Sequence, residues 1–237
     1  VPTTSSMPFW ELYRLVPSAV VGTTFASFVQ AAMSSMAMVF AIEAGMSTGK
    51  ATIFVSAGLT GAALLQIPLG RLSDRYPRRI IILFCVFISA SIAVIQSLLS
   101  NSNDLHIFLN LLFGAFVFPL YGLFAALAND WIPSEKRISA SSTLVLASSS
   151  GAVVAPIAIG FLLGNFAPSS YFLANASVLI FVGIYISYRT RVREAVPVDK
   201  QSPFIPLVAR SGQIAHSLGR WIRNPLAVWP REKPEDK

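Results

Sequence analysis

An all-α integral membrane bundle of six transmembrane helices is the fold this sequence predicts, on three observations. The chain is 54% hydrophobic and only 12% charged, about half the roughly 25% charged content of a water-soluble domain. Its charges are clustered, leaving runs without Lys, Arg, Asp, Glu or His at 15–42, 51–70, 80–103, 107–129 and 138–188. The basic residues between those runs fall on one side: Arg14, then Arg71, Arg75, Arg78 and Arg79, then Lys136 and Arg137, then ten from Arg189 onward, with Lys50 alone opposite. A spanning helix needs about 20 mostly apolar residues at 1.5 Å rise each, so the first four runs hold one span apiece and the last holds two. No strand alternation competes, and open strand edges in lipid would leave backbone groups unpaired.

Taken in order, residues 1–14 read as a polar N-terminal linker, with two prolines before Phe9 and neither the basic start nor the apolar middle of a signal peptide. Val1 in place of an initiator methionine fits a piece of a longer chain. The six-helix transmembrane domain occupies 15–189. Its spans are placed at Pro17–Ile42, Thr52–Leu69, Ile80–Leu99, Leu105–Ala128, Ile138–Gly164 and Tyr171–Tyr188, the last two separated by the turn formers Asn165, Pro168, Ser169 and Ser170. Residues 190–237 form a basic tail. Within it, Leu207, Ile214, Leu218 and Trp221 share one helical face with His216, Arg220 and Arg223 opposite, the pattern of a helix that lies on an anionic membrane surface. An even number of spans puts both termini on one side, and the Lys and Arg excess makes that side cytoplasmic.

The net charge of +7 is therefore a topology signal and gives no reason to invoke nucleic acid. Cys85 is the single cysteine and falls inside a span, where it reads as a core thiol. His106 and His216 have no ligand partners at useful spacing, so no metal site is expected. The phosphate-binding pattern GxxxxGK[ST] is absent, and no cofactor is expected.

Between the second and third spans stands GRLSDRYPRR, Gly70 to Arg79, the short link densest in charge. An anchor under the positive-inside rule needs only Arg and Lys; Asp74 among four arginines implies specific pairing. Gly70, Asp74, Arg75, Arg78 and Arg79 together resemble the signature loop of the major facilitator superfamily, found between the second and third helices of each six-helix half. The segments LLQIPLGRLSDR from Leu64, FPLYGLFAALANDW from Phe118 and SGAVVAPIAIG from Ser150 are similar to bacterial efflux-type or sugar-transporter-like permeases of that superfamily, in its C-terminal half. The sequence departs from the motif at Pro77, where a second glycine is usual, so a proline-fixed turn replaces a left-handed one. The resemblance implies a secondary transporter that moves a small organic solute by alternating access, with the charged loop as a gate. It also implies an N-terminal six-helix half, missing here, or a second copy as partner, in a bacterial inner membrane.

No Asp, Glu, Lys or Arg falls in the middle third of any span, so polar uncharged residues are the cavity candidates. Thr23, Ser27, Gln30 and Ser34 recur at helical spacing in span one, as do Asn110, Gly114, Phe118 and Tyr121 in span four. The resemblance implies that these two helices line the central cavity, making Gln30, Ser34, Asn110 and Tyr121 the substrate contacts. Glu43 and Asp130 sit at span ends and read as structural. Gln66 reads as a cap for the carbonyl freed by Pro68. Gly151 and Ala155, then Gly160 and Gly164, flank Pro156 in span five as small residues for close helix packing or a hinge. An intramembrane serine hydrolase, for which Ser148 to Gly151 offers a nucleophile, would need a histidine at a span centre, and none is there. A non-transporting sensor or scaffold is the other alternative, which the lack of buried charge permits.

Overall fold

The computed structural model describes residues 7–99, 103–192 and 201, all within one compact helical unit. A short helix α1 (Phe9–Leu15) precedes α2 (Pro17–Glu43), α3 (Thr48–Arg75), α4 (Arg78–Leu98), α5 (Asn103–Asn129), α6 (Arg137–Asn165) and α7 (Ser170–Val192). The last six are each long and apolar enough to cross a membrane. No strand occurs among the described residues. The amphipathic tail segment from 202 onward, with His216, lies outside them.

The helices overrun the charge-free runs, most clearly α3, which continues past Leu69 to Arg75. At 1.5 Å per residue such a helix is about 42 Å long, the thickness of a bilayer with its headgroups rather than of the hydrocarbon alone. Charged residues thus remain helical while reaching the polar layer. Residues 9–14, expected within the linker, form most of α1, because Leu12 is buried with Met7, Val16, Ile132 and Leu144. At its far end α2 stops in a Schellman turn: Gly45 takes φ +80°, and the Met46 and Gly45 amides donate to Ala41 and Ile42 carbonyls at 3.0 Å each.

α3 packs most extensively on α5, α2 on α6, and α4 on α7. The first two pairs run parallel. Between α3 and α5 the backbones touch: a Cβ on Gly114 would strike the Gly58 carbonyl, and one on Gly61 the Leu111 carbonyl. Lys50 pairs with Asp104 at 2.9 Å at the end of this interface remote from the arginines. Between α2 and α6, Thr24 Oγ1 donates to the Ala147 carbonyl at 3.1 Å, and a Cβ on Gly151 would strike the Thr24 carbonyl.

The small-residue expectation for α6 therefore holds for only half of its stripe. Gly151 and Ala155 are buried, whereas Gly160 and Gly164 are exposed and an added Cβ at either meets nothing within 4 Å. Pro156, half-buried, falls between the two pairs, and past it Ile159 and Leu163 keep one face of α6 in the core while the glycine face is open. Of the spans, α5 is the most enclosed and α3 and α6 are among the most open.

Candidate functional site

Most of the GRLSDRYPRR segment is helical. Gly70 to Arg75 form the last turns of α3, where Ser73 Oγ donates back to the Gly70 carbonyl at 2.7 Å. Pro77 sets the stop, because the residue before a proline is pushed out of the α region. Tyr76 accordingly sits at φ −123°, ψ 160°, and Pro77 follows at φ −53°, ψ 114° as the first cap of α4. Two residues reverse the chain without any left-handed glycine. The turn therefore carries Arg78 and Arg79 straight into the first turn of α4, pointing into the bundle.

Arg78 is the centre of the site. Its side chain is 1% exposed, and Nη1 lies 2.7 Å from both carboxylate oxygens of Asp130, itself 1% exposed, at the end of α5. Its Nη2 donates to Asp74 Oδ1 at 3.1 Å, and Asp74 remains 34% exposed. One guanidinium thus joins three elements, α3 through Asp74, its own α4, and α5 through Asp130. Arg79 is buried beside it, while Arg75 is exposed. Only arginine can do this, since a lysine ammonium has no second nitrogen to offer in the same plane.

The expected cavity residues separate into two groups. Asn110 is fully buried, and its Nδ2 donates to the Phe54 carbonyl at 2.8 Å. Expected on a cavity wall, it fastens α5 to α3 and has no exposed surface in this bundle. Thr23 is likewise sealed, its hydroxyl bonded to the Ala19 and Val20 carbonyls of its own helix. For Asn110 the covering element is α3.

Gln30, Ser34 and Tyr121 keep access to the surface. Gln30 Nε2 donates to the Val117 and Phe118 carbonyls at 3.2 and 3.1 Å, joining α2 to α5 beside Pro119. Tyr121 lies near Ser148 of α6, and Ser34 Oγ donates back to the Gln30 carbonyl. Gln30 lies about 20 Å along α2, at mid-membrane depth. Gln66 is half-buried and caps no carbonyl, so its expected role beside Pro68 is not seen. His106, also buried, approaches Gln96 at 3.4 Å within an aromatic group that includes Phe40 and Phe172. Among the described residues no group of three His, Cys, Asp or Glu is placed to hold a metal.

The profile of the Major Facilitator Superfamily matches residues 20–229. The chain belongs to that superfamily. An uncharacterized MFS-type transporter of Enterobacter sp. (strain 638) is 26% identical over 146 residues, which are 62% of this chain and 36% of that relative. An auto-inhibited POT family peptide transporter shares the fold at a TM-score of 0.65 and 16% identity, over 93% of this chain and 43% of its own length. The POT family transporter PepTSo gives 0.66 and 16% over the same shares. This MFS chain thus spans well under half the length of the proteins it resembles.

Sequence reading placed Asp130 at a helix end but did not join it to Arg78. The available signal was that both residues stand at the same membrane edge, Asp130 bounding the run 107–129 and Arg78 next to Arg79, which bounds the run 80–103. The α3 glycines Gly58 and Gly61 were also missed; spaced by three, they are a small-residue signal as good as the one noted in α6.

Proposed function

We propose that this chain is one six-helix half, the C-terminal one, of a secondary transporter that moves a small organic solute by alternating access. The observation that carries this reading is the asymmetry of coverage: 93% of this chain matches 43% of each solved transporter. A second half would supply the facing wall of a central cavity. On this wall Gln30, Ser34 and Tyr121 are the proposed solute contacts, being polar, accessible and near mid-depth. No ionised side chain is among them, so charge coupling falls to the other half. The basic end, with Arg14, the Gly70–Arg79 segment and Lys136, is the cytoplasmic one in this reading, in a bacterial inner membrane. The chain carries out no covalent chemistry here. The mass of the natural polypeptide tests the half assignment: a value near twice 25.6 kDa supports it, and one equal to it requires a homodimer or a separately encoded half.

Arg78 with its two aspartates is the proposed gate. Asp74 is the member that can leave, being partly hydrated and held by the longer contact, whereas Asp130 is sealed. Asp74→Asn is therefore expected to slow solute flux in proteoliposomes by more than it lowers protein level, because it removes charge without changing shape. Losses of equal size would reduce the segment to a folding element and favour the sensor or scaffold reading.

A further inference from the structure

Helix α1 presents an aromatic face whose outer part, Phe9 and Trp10, is left exposed among the described residues. Phe9 is 49% and Trp10 57% exposed. At 100° per residue, Phe9, Tyr13, Trp10 and Arg14 fall within an arc of about 140°, while Leu12 points to the opposite side. Leu12 is fully buried against the bundle and Tyr13, half-buried, packs on the same core cluster, so Phe9, Trp10 and Arg14 form the outward part of the arc. The rings are organised: Tyr13 stacks on Trp10 at 5.5 Å and on Phe9 at 6.3 Å, and the Arg14 guanidinium lies 5.5 Å from the Trp10 ring centre.

The depth of this helix is fixed by its bonds to α6. The Met7 amide donates to Ser139 Oγ at 2.7 Å, Thr143 Oγ1 donates to the Met7 carbonyl at 2.7 Å, and Glu11 pairs with Lys136 at 2.8 Å. Helix α6 has 29 residues, about 43 Å, and a bilayer of about 40–45 Å includes a hydrocarbon core of about 30 Å. The first 6 or 7 Å of α6, roughly Arg137 to Ser141, then lie in the headgroup layer. Met7 is bonded at the inner boundary of that layer and Glu11 at its outer one. α1 is held inside the interface rather than below it in water.

We propose that α1 is an interfacial anchor, its aromatic arc set among the phospholipid headgroups and upper acyl chains, with Arg14 on a lipid phosphate. Trp and Tyr are favoured at this depth because the ring body is apolar and its edge is polar. An arginine stacked on Trp10 reaches outward from the same arc, at the polar edge of the layer. The anchor fixes the level at which the chain enters α2. It depends on the spanning reading of α6 and not on alternating access, so it stands or falls apart from the transport proposal.

The test uses the full natural chain reconstituted in liposomes, comparing it with Trp10→Phe to isolate the Trp10 emission. Phosphatidylcholine brominated near the top of its acyl chains is expected to remove most of that emission, lipid brominated near the chain ends to remove less, and aqueous iodide to remove little. Quenching by iodide but not by bromolipid would place Trp10 in water and overturn the anchor. Quenching by neither would mean that protein covers the arc, and would overturn it equally. A nitroxide on Trp10→Cys, with Cys85 shielded in the core, reads the same depth independently through its relative accessibility to oxygen and to a water-soluble nickel chelate.

Discussion

Arg78→Gln is expected to destabilise the protein by about 3–5 kcal/mol, the cost of removing one partner from a buried ion pair. Asp130 is 1% exposed and takes its charge partner from Arg78 Nη1. Without the guanidinium Asp130 loses its contact at 2.7 Å with a buried cation, and a carboxylate closed off from water is left less compensated, which costs free energy. Glutamine is shorter and neutral and cannot answer both Asp130 and Asp74. Arg78→Lys is expected to recover only part of the loss, since one ammonium cannot occupy both guanidinium positions. Thermal unfolding in detergent, with protein level in membranes, measures these effects. Arg75→Gln is the control: Arg75 is exposed, and its replacement is expected to stay within about 0.5 kcal/mol. A similar loss for both arginines would show that charge density at the membrane edge, not pairing, is what matters.

Stability and transport separate in the double variant Arg78→Met with Asp130→Leu. Apolar residues of similar volume can replace a buried ion pair with little loss or even a gain, because neither group then has to be desolvated. Asp74 remains, 34% exposed and so partly hydrated. The variant is expected to melt near the parent temperature while its flux is abolished, because Asp74 has lost the guanidinium on which the gate closes. Normal flux would leave the pair as a structural feature and move the gate elsewhere.

The division between what could and could not be read from the sequence follows the range of the forces involved. Spans were legible because the cost of placing a charge in hydrocarbon acts residue by residue, so the edges of uncharged runs mark helix positions directly. The stop at Pro77 was legible for a similarly local reason. Which face of a helix meets its neighbour is not local. Asn110 and Gln30 are both amides on polar stripes, yet Asn110 is sealed against Phe54 while Gln30 stays half-open. That difference is decided by α3 lying over the outer part of α5, which no periodicity within α5 encodes. The same applies to Gly151 and Gly160, nine residues apart on one helix, of which only Gly151 meets α2. The Arg78 and Asp130 pair needs the ends of α4 and α5 brought together, a tertiary fact for which the sequence holds only the shared side of the membrane.

Gly114→Ala is expected to be as damaging as the loss of Arg78, for a reason with no electrostatic component. Its added methyl would run into the Gly58 carbonyl, which is backbone and cannot rotate aside as a side chain would. Helices α3 and α5 would have to separate along an interface that also carries Gly61 against Leu111 and the Asn110 bond to Phe54. Overpacking of this kind costs about 1–3 kcal/mol where neighbours yield and more where they do not. About 3 kcal/mol or above is therefore expected here, read as a fall in unfolding temperature in detergent. The Asn110 bond gives a second sign of the same event: if the helices separate, the Phe54 carbonyl loses its donor, and hydrogen exchange near that turn of α3 should accelerate. Gly160→Ala supplies the contrast, because nothing lies within 4 Å of its added methyl and alanine is the better helix former by up to about 1 kcal/mol. It is expected to leave the isolated six-helix unit unchanged or slightly more stable. If Gly160→Ala nonetheless impairs flux in the complete transporter, the open part of α6 is where the second half packs. That outcome would connect an empty stripe of glycines to the alternating-access reading through a surface this chain leaves uncovered.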